Sequence, residues 1–274
     1  MSLKATRKIL SVICIVIIAA GGCLCASATA VKTTLCSESY MQKHLTSDKV
    51  MAQCKENFDD RIEALAVKSS IPVRAFEAVS NFSEIASDSP VRRLFDGHDT
   101  TLYTKDTIEK FEQLCTEYLD GNSIKYDKKL VHNTADEAAK IYADCYGLKN
   151  TDGLAAFIYN FNDNYESIVS VSFLMMILPV VLIFLLYKRP SDVMLRVFSA
   201  FTAEGITLIF TGAMCLILKL GRSPNIYPLI YAQAVGNVFK SVFAFMMIAG
   251  FIIAALSICA NVAVFKKRKQ DYKY

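Results

Sequence analysis

Three apolar runs, residues 168–187, 197–218 and 242–265, decide most of what this chain can become. Each reaches the ~20 residues a helix needs to cross a hydrocarbon core about 30 Å thick. A fourth apolar stretch, 9–30, lies near the N-terminus, and the polar segment 31–167 that follows it holds no comparable run. The chain is 53% hydrophobic, too much for an ordinary soluble domain, and the excess sits in these blocks. The pattern is that of a polytopic membrane protein.

The formal charge of +4 conceals a separation. Segment 31–167 holds 16 Lys and Arg against 23 Asp and Glu, a net of −7, and the remaining 14 basic and 3 acidic residues give +11. Those basic residues flank the apolar runs: Lys4, Arg7 and Lys8 before the first, Lys188, Arg189 and Arg196 between the second and third, Lys266 to Lys269 and Lys273 after the last. Only Lys219, Arg222 and Lys240 lie near the opposite ends. Such a bias sets orientation in a membrane rather than marking a nucleic-acid surface. It places both termini and the 188–196 link in the cytoplasm, and segment 31–167 and loop 219–241 outside a cell membrane.

The N-terminal stretch 1–30 admits two readings. Its basic start, short apolar part and small-x-small sites at Ala26–Ala28 and Ala28–Ala30 fit a cleaved signal peptide. The apolar run resumes through Cys23, Leu24 and Cys25, which fits an uncleaved transmembrane anchor. The expected fold is all-α: an extracytoplasmic helical domain, 31–167, inserted between the N-terminal apolar segment and a three-helix transmembrane bundle, 168–265, with a basic cytoplasmic tail, 266–274.

Within 31–167, Val50, Cys54, Phe58, Ile62 and Leu65 recur at helical spacing behind Thr46 or Ser47 as N-cap. Asp106 with Glu109, and Thr134 with Glu137, have the spacing of capping boxes. Residues 120–133 read as a loop and 157–166 as a link to the second run. Four to six short helices result. Four cysteines, Cys36, Cys54, Cys115 and Cys145, form an even set in an exported domain, which favours disulfides. Of three connectivities, Cys36–Cys54 with Cys115–Cys145 joins neighbouring expected helices. Cys14, Cys23, Cys25, Cys215 and Cys259 lie in apolar stretches and read as packing residues.

Little points to catalysis. No H-E-x-x-H, G-x-S-x-G, Walker A or G-x-G-x-x-G motif occurs. The cysteines lack the C-x-x-C spacing of a zinc site. Asp96, His98 and Asp99 in FDGHDTT could contribute to a divalent site, yet the same residues compose an ordinary polar turn, and the reading assigns no metal and no cofactor. Asn81–Ser83 is a glycosylation sequon in form.

One acid sits in an apolar run. Glu204 lies about 10 Å along a helix from the basic end, where an ionised carboxylate facing lipid costs at least ~2–3 kcal/mol. Ser257 and Asn261 lie at comparable depth in the last run, so a hydrogen bond from Glu204 to either is expected, fixing the third run to the fourth. Small residues Gly205, Gly212, Gly250 and Ala254 suit close helix packing, and Pro179 interrupts the second run. The functional expectation is a non-enzymatic multi-pass protein in the lipid bilayer whose outer domain binds a protein partner or ligand. The alternative is a small oligomeric channel or transporter that uses Glu204.

Overall fold

The computed structural model describes residues 3–77, 90–96, 102–221 and 225–271. Its named elements among these residues are all helices: α1 (Leu3–Thr33), α2 (Glu38–Leu45), α3 (Asp48–Ser69), α4 (Arg74–Glu77), α5 (Pro90–Asp96), α6 (Lys105–Gly121), α7 (Lys128–Tyr146), α8 (Asp152–Leu186), α9 (Pro190–Ile217) and α10 (Leu229–Asp271). Four of them, α1, α8, α9 and α10, are long and apolar enough to cross a membrane. The chain divides into two compact units. One comprises Met1–Ser37, Asn160–Gly221 and Val238–Tyr274, the other Glu38–Tyr159 and Arg222–Asn237.

The first unit is built from the apolar helices. Cys14 and Ile18 of α1, Ile183 of α8, and Val193 and Ala200 of α9 form one buried cluster. Glycines set the closeness of approach. A Cβ added at Gly21 would stand 2.9 Å from the Ser172 carbonyl oxygen of α8, and one at Gly205 would stand 2.5 Å from the Gly250 oxygen and 2.6 Å from the Ala254 nitrogen of α10. Backbone thus meets backbone where α9 and α10 cross, as small residues allow. The outer faces carry large apolar side chains such as Phe251 at 68% exposure and Leu185 at 77%. Exposed apolar surface of that extent suits hydrocarbon rather than water.

The second unit has a core of its own. Val50, Cys54, Phe58, Ile62 and Leu65 form the buried stripe of α3, as their spacing predicts. Opposite lies α7, whose Ala135, Ala138, Ala139 and Ala143 are buried and small enough to admit its neighbours closely. Phe58 meets Tyr142 edge-on at 6.3 Å between centroids and Phe111 of α6 at 6.5 Å, within the range in which ring pairs add to area burial. Arg61 to Asp144 at 2.9 Å and Lys68 to Glu137 at 3.2 Å pair α3 with α7 at the surface. The backbones of Lys149 and Tyr227 exchange two hydrogen bonds, of 2.9 and 3.1 Å, so part of the segment read as loop 219–241 belongs to this unit.

Helix boundaries differ from the sequence reading for identifiable reasons. Thr104 caps α6 by accepting the Thr107 N–H at 3.2 Å, so the helix starts ahead of the Asp106–Glu109 pair. Asp127 caps α7 by accepting from Lys129 N–H at 2.9 Å. Thr134 therefore lies inside a helix, where its hydroxyl donates to the Leu130 carbonyl at 2.8 Å. Most of the expected 120–133 loop is helical in consequence. Residues 157–166 are likewise helical, as part of α8. His98, Asp99 and the Asn81–Ser83 sequon lie outside the described residues.

The expected disulfides are absent. Cys36, Cys54, Cys115 and Cys145 are all free and buried, which corrects the pairing Cys36–Cys54 with Cys115–Cys145. The sulfurs are aimed at other groups: Cys145 Sγ accepts from Arg61 of α3 at 3.9 Å, and Cys54 hydrogen-bonds the Tyr231 side chain. Each fills its own slot as a small apolar residue. Burial pushes the Cys115 thiol up to about 12 and those of Cys36 and Cys54 up to about 11, so thiolate is scarce at neutral pH. In the folded protein these four cysteines are expected to resist iodoacetamide, and all four to label after denaturation without reductant. A disulfide-linked peptide pair in an unreduced digest would overturn that.

Candidate functional site

Two places in the fold gather polar side chains that the core does not consume. The first is a cleft of about 280 Å³ in the second unit. Lys43 and His44 from the end of α2, Lys49 from the first turn of α3, and Gln233 and Asn237 from α10 line it over an apolar floor that includes Val50 and Ala234. Its geometry follows from the Thr46–Ser47 break between α2 and α3. Ser47 takes the N-cap position of α3, but its hydroxyl donates to the His44 carbonyl at 3.2 Å instead of capping. The first turn of α3 is left without a side-chain cap beside the two lysines.

His44 is held in a defined orientation. Its ring stacks on Tyr40 with centroids 4.4 Å apart, and Nδ1 lies 2.9 Å from the Tyr40 carbonyl oxygen. A carbonyl can only accept, so Nδ1 carries a proton and donates it to that oxygen. Ser47 bonds the carbonyl of His44 and not its ring, so their adjacency makes no nucleophile–base pair. The cleft offers two ammonium groups and two amides as donors, with the His44 ring beside them. That set suits a carboxylate or phosphate carried on a partly apolar ligand.

The second place surrounds Glu204 in the first unit. Its side chain is 4% exposed, and Oε2 is buried with no hydrogen-bond partner among the described residues. The expected bond to Ser257 or Asn261 is not formed. Those two side chains engage Thr202 instead, at 2.9 Å between the Thr202 and Ser257 hydroxyls and 3.5 Å from Asn261 Nδ2 to Thr202 Oγ1. The reason is helical phase. At 100° per residue, Thr202 and Glu204 stand 200° apart around α9, so Thr202 takes the α10 side and Glu204 the α1 side. There it abuts Gly22, where an added Cβ would overlap the carboxylate. The neighbouring Cys23 thiol donates to the Glu204 backbone oxygen at 3.6 Å.

The sequence thus singled out Glu204, Ser257 and Asn261 as polar residues inside the apolar helices, but the expected bond between Glu204 and either of the others does not form. It missed Thr202, which the i, i+2 offset from Glu204 and the Ser257/Asn261 spacing would have supported. It also missed the cleft, since Lys43, His44 and Lys49 are far in sequence from Gln233 and Asn237. No group of three or more His, Cys, Asp or Glu able to hold a metal occurs among the described residues. None of the protein-family models, curated proteins or solved structures compared with this chain matches it.

The contact between α1 and Glu204 can be measured by a double-mutant cycle. Gly22→Ala is expected to lower detergent-solubilised stability by ~1–3 kcal/mol as an overpacked change. In a Glu204→Ala background the same change should cost at least about 1 kcal/mol less, because coupled neighbours are non-additive. Equal costs in both backgrounds would show that the two residues do not meet. Thr202→Val should lose about 1 kcal/mol, the scale of hydrogen bonds between membrane helices, with no coupling to Gly22.

Proposed function

We propose that this chain is a non-enzymatic multi-pass membrane protein whose extracytoplasmic helical domain binds a partner that presents an anionic group to the Lys43–Lys49 cleft. The observation that carries the reading is the cleft itself. Two lysines and an oriented histidine face an apolar floor within a segment whose net charge is −7. A locally basic, half-apolar concavity on an otherwise acidic domain is where an anionic group of a partner is attracted rather than repelled. On this reading the protein acts as an accessory or sensory subunit. Orientation rests on the charge bias of the apolar flanks.

A photo-crosslinking residue placed at Gln233 in the full chain tests this in intact cells. A hetero-adduct that disappears with Lys43→Glu/Lys49→Glu is expected. A symmetric homo-adduct, or a hetero-adduct indifferent to charge reversal, would overturn the reading. A second reading, a small channel or transporter, is favoured by the buried unpartnered oxygen of Glu204. Ion flux through the wild-type protein in liposomes that vanishes with Glu204→Gln would establish it in place of the first.

The same bundle supports keeping α1 as an anchor rather than a cleaved signal peptide. Cys14 and Ile18 are core residues, Gly21 fits the α8 backbone, and Gly22 makes room for Glu204. Removal of 1–28 or 1–30 would turn the Glu204 carboxylate toward lipid, at a cost of at least ~2–3 kcal/mol. Intact-mass analysis of the protein purified from membranes is expected to retain the N-terminal stretch. A mature N-terminus at Thr29 or Val31 would refute this assignment.

A further inference from the structure

The first unit contains a groove of about 520 Å³ where α9 begins and α10 ends, lined by Arg189, Pro190, Met194, Val264, Lys267 and Arg268, with Ser191 at its edge. We propose that this groove binds the headgroup of an anionic phospholipid, with the phosphate among Arg189, Lys267 and Arg268 and the glycerol and first acyl carbons against Met194 and Val264. This site is independent of the partner-binding cleft.

Three cations from two helices converge there. Arg268 is fixed by an ion pair from Nη1 to Asp192 Oδ1 at 3.2 Å, which holds it in the groove wall and leaves a net of two positive charges from the four groups. The α9 helix adds the positive end of its dipole, since Arg189 at its N-cap offers no side-chain cap. The other half of the lining is apolar, and Met194 is 49% exposed. A free inorganic anion would use the cations and leave that apolar wall wet. A phospholipid uses both, and basic grooves at the ends of membrane helices are where such headgroups are held.

A second cation cluster at this end packs on an aromatic ring. The Arg196 guanidinium lies 3.9 Å from the Tyr187 ring centroid and that of Arg7 lies 5.1 Å from it, within cation–π range. That cluster supports the helix ends and does not enter the groove.

The chain contains no Trp, so one introduced indole reports its site alone. Met194→Trp in the full-length protein, reconstituted in vesicles, should be quenched more strongly by brominated phosphatidylglycerol than by brominated phosphatidylcholine at equal mole fraction. Each basic residue near a membrane surface contributes about fivefold to anionic preference. Arg189→Gln/Lys267→Gln should therefore reduce the preference by about tenfold or more. Phe210→Trp, on the exposed face of α9, should be quenched alike by both lipids in either background, which certifies insertion and folding. Equal quenching of the Met194→Trp reporter by the two lipids, or a preference untouched by the double substitution, would overturn the proposal. Protection from quenching by millimolar inorganic phosphate would assign the groove to a free anion and overturn the lipid assignment.

Discussion

A carboxylate enclosed by apolar helices has to be hydrogen-bonded, neutralised or shielded from lipid, and Glu204 shows what the last option demands of its surroundings. Shielding needs a helix lying close enough to seal the side chain, and close approach needs an absent side chain opposite. Gly22 supplies that gap. Once Glu204 faces α1, helical phase turns the rest of α9. Gly205 stands 300° beyond Thr202, which is 60° away on the same side, and both reach α10: Gly205 through its backbone and Thr202 through Ser257 and Asn261. One acid thus divides α9 into a face that holds α1 and a face that holds α10. That division needs α1 inside the bundle, where the three-helix bundle expected from the sequence had left it outside.

Those parts of the fold that depend on one local rule were legible. Apolar runs of sufficient length became the four long helices, and the Val50 to Leu65 stripe became the buried face of α3. Gly205, Gly250 and Ala254 meet as small residues at a helix crossing. Helix starts were less legible, because a Thr or Asp followed three residues later by Glu recurs inside helices. Thr134 with Glu137 is such a case: Glu137 serves Lys68 on another helix rather than its own N-terminus. Sites that join distant segments were not legible. The cleft needs α10 beside the α2–α3 break, and nothing in the spacing of Lys43, His44 and Lys49 announces Gln233.

The cysteines show why an even count is a weak guide to bonding. A disulfide needs two sulfurs about 2 Å apart with compatible Cβ directions, and it needs a thiolate to begin the exchange. Cys145 points at Arg61, Cys54 at Tyr231, and burial holds most of these thiols well above the neutral range. A domain exported into an oxidising compartment can keep such cysteines reduced, because the folded core denies them both partner and reactivity. Free thiols therefore do not decide the proposed orientation either way.

The two units place their polarity in opposite ways, and the difference bears on function. In the apolar unit, some polar groups are turned inward and engaged with one another, as Thr202 is with Ser257. Their work is to fix the packing of helices that gain nothing from hiding apolar surface in lipid. In the polar unit the core is aromatic and aliphatic, ion pairs such as Arg61–Asp144 close its surface, and exposed pairs of that kind contribute little stability. Lys43 and Lys49 lie along a concavity instead of across a helix pair, so their removal would cost the fold little. Side chains that a fold does not need, beside a histidine whose orientation is fixed by Tyr40, are the reason we propose a partner from outside the chain.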